Sequence, residues 1–374
     1  MRIGIVCYPT FGGSGVIATE LGKSLGQRGH EVHFICYNVP VRLSSPAPNI
    51  HFHMVEVVSY PLFQFPPYTL ALASKTAEVI ERYKLDLIHV HYAVPHSVSA
   101  HLAQQMVGNK TIKIITTLHG TDIQLVGLEP SYFRVIKYAI ENNNGITAVS
   151  DYLARTTHEE FCTRCDIRVI PNFVDTARFR REVRPDFRDR FAAPGEKIVT
   201  HISNFRNLKR VPDVVLIFQE IQRQLPAKLL LVGEGPEFTR VLEIINQLGL
   251  YDQVILLHLQ DRVEDILAIS DLFLLPSETE SFGLAALEAM AAEVPVVATN
   301  VGGLPEVVEH GGCGYLAPVG DIRLMGDYAV KILQDNALAR KFGARGREIA
   351  HEKFSEENIV VQYERYYKEI LAGS

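Results

Sequence analysis

Pro276-Ser277-Glu278-Thr279-Glu280-Ser281-Phe282-Gly283-Leu284-Ala285-Ala286-Leu287-Glu288-Ala289-Met290-Ala291 is the stretch around which the chain is organised. It follows the apolar strand Asp271-Leu272-Phe273-Leu274-Leu275 and passes into an Ala/Leu-rich run of high helix propensity. Ser281 is placed to cap that helix, which would leave the N–H groups of Phe282, Gly283 and Leu284 unpaired and directed outward. Such an end attracts anions. Glu280 stands just before the expected cap, and Glu288 about two turns in at roughly 3.6 residues per turn. Two carboxylates that accept hydroxyl hydrogen bonds, set around an anion site, suit a sugar joined to a phosphate. Without a ligand, the same stretch would be a solvated acidic helix start.

Outward from that stretch, strands and helices alternate in both directions. Strands are expected at 2–7, 31–37, 50–57, 85–91, 112–118, 145–149 and 167–170, with helices at 16–28 (ended by Gly29), 68–83, 96–106, 132–142 and 152–160. Repeated alternation with short apolar strands implies a doubly wound α/β domain with helices on both faces of a parallel sheet. This domain is expected to span 1–172. Residues 173–196 are charged and aperiodic, with Arg178, Arg180, Arg181, Arg184, Arg188 and Arg190, and read as a solvated crossing between domains. A second alternating series fills 197–355. Its strands fall at 197–202, 228–232, 254–257, 272–275, 295–298 and 314–316, and its helices at 211–224, 237–248, 263–269, 283–292, 321–335 and 338–351. The helix 356–371, amphipathic with Tyr363, Tyr366 and Tyr367, is expected to return to the first domain. Two similar lobes joined by one crossing point to a cleft.

Composition excludes several classes. The chain has 374 residues, enough for two cores. A net charge of −6 offers no basic field for nucleic acid. No apolar run approaches the ~20 residues that span a bilayer, and Met1-Arg2-Ile3-Gly4-Ile5-Val6 enters a strand rather than a signal peptide. Five scattered cysteines argue against a disulfide framework and for a cytoplasmic protein. Cys162-Thr163-Arg164-Cys165 is read as helix-end packing, since neither a zinc nor a redox site shows its partners.

Ligands of open parallel sheets bind beyond the carboxyl ends of the strands. Those positions hold Gly12-Gly13-Ser14-Gly15, His91-Tyr92, Thr117-Leu118-His119-Gly120-Thr121-Asp122, Ser150-Asp151 and Pro171-Asn172 in the first domain. In the second they hold Ser203-Asn204-Phe205-Arg206, Gly233-Glu234-Gly235, Gln260-Asp261, the opening stretch, and Thr299-Asn300-Val301-Gly302-Gly303. Gly13-Ser14-Gly15-Val16-Ile17-Ala18 fits a dinucleotide fingerprint, but Cys36-Tyr37-Asn38 lacks the ribose-binding acid that it requires. A glycine loop that lets backbone approach a phosphate or acceptor remains. Arg206 and Lys209 are the cations best placed to offset charge on a leaving phosphate. His119 stands in a polar strand-end run rather than a core position.

These residues resemble the family 4 retaining glycosyltransferases of the two-domain GT-B fold, over essentially the whole chain. The carrying motif is the spacing of Glu280 and Glu288 within Pro-Ser-x-x-Glu-x-Phe-Gly-Leu-x-x-x-Glu-Ala-Met-Ala, followed by Pro295-Val296-Val297-Ala298 and Gly302-Gly303-Leu304-Pro305-Glu306-Val307-Val308. Further stretches, Phe11–Gly15, Thr116–Asp122, Thr147–Ser150 and Ser203–Arg206, are similar to the branch of that family that moves N-acetylglucosamine from UDP-N-acetylglucosamine to the hydroxyl of L-malate, the first step of bacillithiol biosynthesis. The resemblance implies that Glu288 holds the uridine ribose and that Glu280, with the backbone of Phe282, Gly283 and Leu284, holds the donor sugar. It places Arg206 and Lys209 on the diphosphate and His119 against the sugar near the reacting carbon. Strand-end position adds Gly13, Ser14, Asn204 and Gly233 on the donor side, and Ser14, Tyr92, Thr117 and Asn172 beside Arg206 for the acceptor. Two positions depart from the family pattern. Asn204 stands where many members carry Arg, and Glu293 replaces the glycine of the Ala-x-Gly-x-Pro turn.

The mechanism so implied has UDP leave as the acceptor attacks on the same face, a donor phosphate oxygen taking the proton, with no metal or other cofactor. Closure of the domains would exclude water. Three rivals remain: a family 4 enzyme with a lipid or glycan acceptor, a UDP-sugar 2-epimerase, and a sugar-nucleotide binding module. Nothing in the chain sets its oligomeric state; a homo-oligomer stays open.

Overall fold

The computed structural model describes residues 1–43, 48–58, 60–108, 111–161, 164–182 and 185–373. The C-x-x-C pair involves Cys162, which lies outside them. The chain divides into two compact units, Met1–Asn172 with Glu356–Ser374, and Phe173–Ser355.

The first unit is a seven-stranded parallel sheet, β1 (Arg2–Val6), β2 (Glu31–Cys36), β3 (Ile50–Met54), β4 (Leu87–His91), β5 (Lys113–Leu118), β6 (Gly145–Ala148) and β7 (Ile167–Val169), in the order β3-β2-β1-β4-β5-β6-β7. Its helices are α1 (Gly13–Gln27), α2 (Tyr68–Tyr83), α3 (Val98–Met106), α4 (Pro130–Glu141) and α5 (Asp151–Glu160). β1 and β4 carry almost unbroken runs of buried residues because helices cover both faces of the sheet. The last helix of the chain, Glu356–Ala372, belongs to this unit. It buries Tyr363, Tyr366 and Tyr367. Tyr366 Oη accepts from the Ile146 N–H at 2.9 Å, and Tyr367 Oη shares a 2.7 Å hydrogen bond with His89 Nδ1. Glu364 joins Arg28 and His30 on its polar side.

The second unit begins with α6 (Pro185–Arg188) and builds a six-stranded parallel sheet. Its strands are β8 (Lys197–Ile202), β9 (Ala227–Val232), β10 (Val254–Leu256), β11 (Leu272–Leu275), β12 (Val296–Thr299) and β13 (Gly314–Ala317), ordered β10-β9-β8-β11-β12-β13. The helices are α7 (Val211–Gln222), α8 (Phe238–Gln247), α9 (Val263–Ile269), α10 (Leu284–Ala291), α11 (Leu304–Val307), α12 (Ile322–Gln334) and α13 (Asn336–Phe354), after which α14 (Glu356–Ala372) closes the chain. Phe205, Phe218, Leu229, Leu274, Met325 and Phe342 are among the core of this unit.

The arginine-rich stretch is not a solvated crossing. It is part of the second unit, where Arg178 pairs with Glu264 at 3.0 Å and Arg188 with Asp271 at 2.7 Å; Arg184 lies outside the described residues. Arg188 also donates to the carbonyls of Ile269 and Glu196. Those acids lie some 80 residues further along, so composition alone could not show that the arginines were matched.

Glu293 stands where the resemblance expects a glycine, and the backbone shows what that glycine would do. The end of α10 closes with the Val294 N–H on Ala289 O at 2.9 Å and the Glu293 N–H on Met290 O at 3.0 Å, the two bonds of a Schellman motif. That motif needs a left-handed residue, and Glu293 supplies it at φ +60. A side chain there costs about 1 kcal/mol that glycine avoids. The Arg347 pair at 3.7 Å, with both side chains about a third exposed, returns little. Glu293→Gly should therefore raise the unfolding free energy of this unit by about 0.5–1 kcal/mol, after the extra freedom glycine has when unfolded. Urea unfolding checks this; a drop in stability would mean that the Arg347 contact outweighs the strain.

Candidate functional site

In both sheets the strand order reverses beside the first strand, at β1/β4 and at β8/β11. The crevice at such a point opens beyond the strand carboxyl ends.

At β8/β11, the loop after β8 carries Asn204, Arg206 and Lys209, and the loop after β11 carries Ser277 and Glu280. They meet: Lys209 Nζ pairs with Glu280 Oε1, which also accepts from Ser277 Oγ at 3.1 Å. The Glu278 N–H donates to Leu208 O at 2.8 Å, tying the two loops together through backbone as well. Arg206 is exposed, and its guanidinium has no hydrogen-bond or ion-pair partner among the described residues. Asn204 is exposed beside it. His201 is fully buried on β8. Its Nδ1–H donates to Leu274 O at 2.8 Å, so Nε2 carries the lone pair that accepts Ser203 Oγ–H at 2.7 Å. Burial lowers its pKa to about 4, which keeps it neutral and fixes Ser203 ahead of Arg206.

The helix start differs from the expectation. Ser281 is not the cap. α10 begins at Leu284 with Gly283 as its cap at φ +98, and the first intrahelical bond runs from the Leu287 N–H to Gly283 O at 3.1 Å. The amides that precede it are therefore those of Leu284, Ala285 and Ala286, two residues later than the sequence suggests. Glu288 consequently lies one turn into the helix, 6% exposed. Phe282 is buried edge-on against Phe354 at 5.6 Å, so it anchors the loop and only its backbone faces the site. Gly302 and Gly303 run against this loop. A Cβ at Gly302 would meet Glu280 O at 1.8 Å, and the Gly303 N–H holds that same carbonyl at 2.9 Å. Gly233, at the end of β9, donates to His258 O at 2.8 Å.

The first unit has its own strand-end cluster. Gly13 and Ser14 open α1, whose cap is Gly12 without any side-chain acceptor. Thr117 Oγ1 shares bonds with His89 at 2.6 Å and Thr147 at 2.7 Å, so it is engaged within the sheet end. His119 Nε2 shares a 2.9 Å bond with His91 Nδ1, and its ring packs on Tyr92 at 5.4 Å. Tyr92 is held at φ +88, a strained setting for a tyrosine, with its N–H on Thr117 O at 3.0 Å. Asn172 is buried, and its Oδ1 has no protein partner among the described residues. Thus Tyr92, Thr117 and His119 come together, while Asn172 ends the unit separately.

Three contributors, Asp122, His91 and His96, were given no role from sequence. Asp122 is buried and accepts the N–H groups of Ala93 at 2.9 Å, Gly120 at 3.0 Å and His119 at 3.3 Å, bracing the His119 loop. Burial pushes its pKa up to about 6 against those bonds. His91 and His96 complete the cluster, each with an unpartnered buried Nε2. The signal for Asp122 and His91 was strand-end position, which the run Thr117–Asp122 and the pair His91-Tyr92 displayed; His96 gave no such signal.

Two family models match the chain, "Glycosyltransferase Family 4" over residues 11–178 and "Glycosyl transferases group 1" over residues 183–349. An N-acetyl-alpha-D-glucosaminyl L-malate synthase of Bacillus anthracis is 51% identical over 99% of this chain and 97% of its own. Among solved structures, sucrose-phosphate synthase from Thermosynechococcus elongatus superposes with a TM-score of 0.82 at 23% identity, covering 100% of both chains. The Anabaena protein HepE, in complex with UDP and glucose, gives 0.79 at 20% identity over 98% of this chain and 99% of that one. These last two likenesses show the fold alone.

The histidine cluster makes stability depend on pH. Burial lowers His89 to about 3, His96 to about 4, His91 well below the ordinary range and His119 in the same direction. A histidine depressed in the folded state contributes stability above its unfolded pKa of about 6.5, lost as pH falls toward the folded value. Asp122 has the opposite slope, losing its contribution as pH rises through about 6, but it is one group against four. The urea midpoint should therefore fall as pH drops from 6.5 to about 4.5. A flat or rising midpoint would contradict a neutral cluster.

Proposed function

The chain belongs to the family 4 glycosyltransferases of GT-B fold, and we propose that it moves N-acetylglucosamine from UDP-N-acetylglucosamine to the hydroxyl of L-malate, with retention at the anomeric carbon. The reading of sugar and acceptor is supported by the N-acetyl-alpha-D-glucosaminyl L-malate synthase that is 51% identical over 99% of the chain. The observation that carries the donor side is the meeting of Lys209, Glu280 and the open start of α10 where the strand order reverses.

In this reading the diphosphate lies against the amides of Leu284–Ala286 with Arg206 and Lys209 as its counter-charges. Glu280 takes the sugar hydroxyls and holds Lys209 in place beforehand, while Glu288 takes the ribose hydroxyls. Charge on the departing UDP is thereby met by fixed groups, which is where electrostatic stabilisation lowers the barrier. The reading draws on no metal for that step. The C–O bond to the diphosphate breaks as the malate hydroxyl attacks on the same face, and its proton passes to a donor phosphate oxygen. On the acceptor side this reading keeps Ser14, Tyr92 and Asn172 of the first unit, with His119; Thr117, buried and bonded to His89 and Thr147, supports the sheet end and does not reach the acceptor. Malate brings two carboxylates, so hydroxyl and amide donors suit it better than acids would.

UDP release from UDP-N-acetylglucosamine across a panel of small hydroxy acids tests this. L-malate should give the highest rate and donor alone only slow hydrolysis. A sugar epimer formed without any acceptor would establish an epimerase instead, and UDP binding with no release in any mixture a binding module. Lys209→Ala should lower kcat by about 10²–10³-fold with a much smaller change in donor KM. Unchanged kcat would remove Lys209 from the leaving group.

A further inference from the structure

A second group of polar side chains lies at the other end of the first sheet. β2 and the edge strand β3 pair in parallel with His33 opposite His51, and side chains two apart share a face. Glu31 and His33 on β2, with His51 and His53 on β3, therefore stand together on one face. Glu31 is the first residue of its strand and His51 the second of its own, so the group is remote from the strand carboxyl ends that carry the candidate site.

Glu31 Oε1 lies 3.3 Å from His33 Nε2 and 3.5 Å from His51 Nε2, and all three atoms fall within 4.8 Å of one another. A tetrahedral ion with ligands at about 2.1 Å separates them by about 3.4 Å, so two of the three edges already have the required length. The Nε2 atoms of both His33 and His51 are directed at the same carboxylate oxygen, Glu31 Oε1. His33 is fully buried, and its Nε2 faces Glu31 without a formed hydrogen bond. Its Nδ1 shares a 2.9 Å bond with His53 Nε2, the outer contact that orients a ligating imidazole. The side chains of His51 and Glu31 are 44% and 39% exposed, so an ion can enter and a water can complete the coordination.

We propose that Glu31, His33 and His51 bind a divalent transition-metal ion of the zinc class, fastening the edge strand β3 to β2. Two imidazoles and one carboxylate suit zinc and its neighbours and not magnesium or calcium, which prefer all-oxygen sites. The site is separate from glycosyl transfer and does not depend on the proposed donor or acceptor.

The test is calorimetric titration of the chelator-stripped full chain with Zn²⁺, Mg²⁺ and Ca²⁺, with Co²⁺ as a visible-absorption probe. One tight Zn²⁺ equivalent is expected, weakened about tenfold or more in His51→Ala and in Glu31→Gln. The Co²⁺ bands should fade in both variants and Mg²⁺ should give no heat. His51 is exposed on an edge strand, so His51→Ala should fold and keep the wild-type transferase rate. Absence of tight Zn²⁺ binding in the wild type, or equal binding in wild type and both variants, would overturn the proposal.

Discussion

A helix must begin with amides that nothing in the helix can satisfy, and the second unit places such a beginning where its strand order reverses. The rest of that site follows from holding α10 in position. Gly283 turns the chain left-handed into the helix, Phe282 is pinned against Phe354, and Gly302-Gly303 passes close enough to bind the Glu280 carbonyl. The carboxylate of Glu280 then secures Lys209, whose loop is also tied by backbone to Glu278. Lys209 is thus held near the start of α10, and Arg206 is exposed on the same loop.

In the proposed reading, the balance of terms favours a ligand there. The Lys209 and Glu280 side chains are only 19% and 11% exposed, so the cost of desolvating both charges offsets much of their attraction and the pair is modest as a stabilising contact. A diphosphate offers the same lysine more charge, together with acceptors for several unpaired amides. The first unit is built on another economy. Its strand ends carry histidines made neutral by burial, joined through Thr117 and Tyr367, and a buried Asp122 that braces the loop of His119. That rigid cluster is suited to presenting neutral donors to an acidic acceptor.

Much of this was legible in the chain. The parallel sheets could be read because buried strands such as Leu272–Leu275 are apolar on both faces, and the candidate residues because they follow those strands. What escaped depended on long-range pairing or local backbone. Ser281 has the chemistry of a cap, but a left-handed Gly283 delays the helix and moves the free amides to Leu284–Ala286. The arginines of residues 178–188 resembled a linker because Glu264 and Asp271 come far later in the chain. The bond between His91 and His119 exists only because β4 pairs with β5 in one register, His91 opposite Thr117, which no single strand discloses.

Residue-resolved amide hydrogen exchange with and without UDP tests the central claim most directly. If the start of α10 takes the diphosphate, the amides of Leu284, Ala285 and Ala286 should exchange markedly more slowly once UDP is bound. Saturating UDP that leaves these three amides unchanged, while protecting others elsewhere in the chain, would contradict the account.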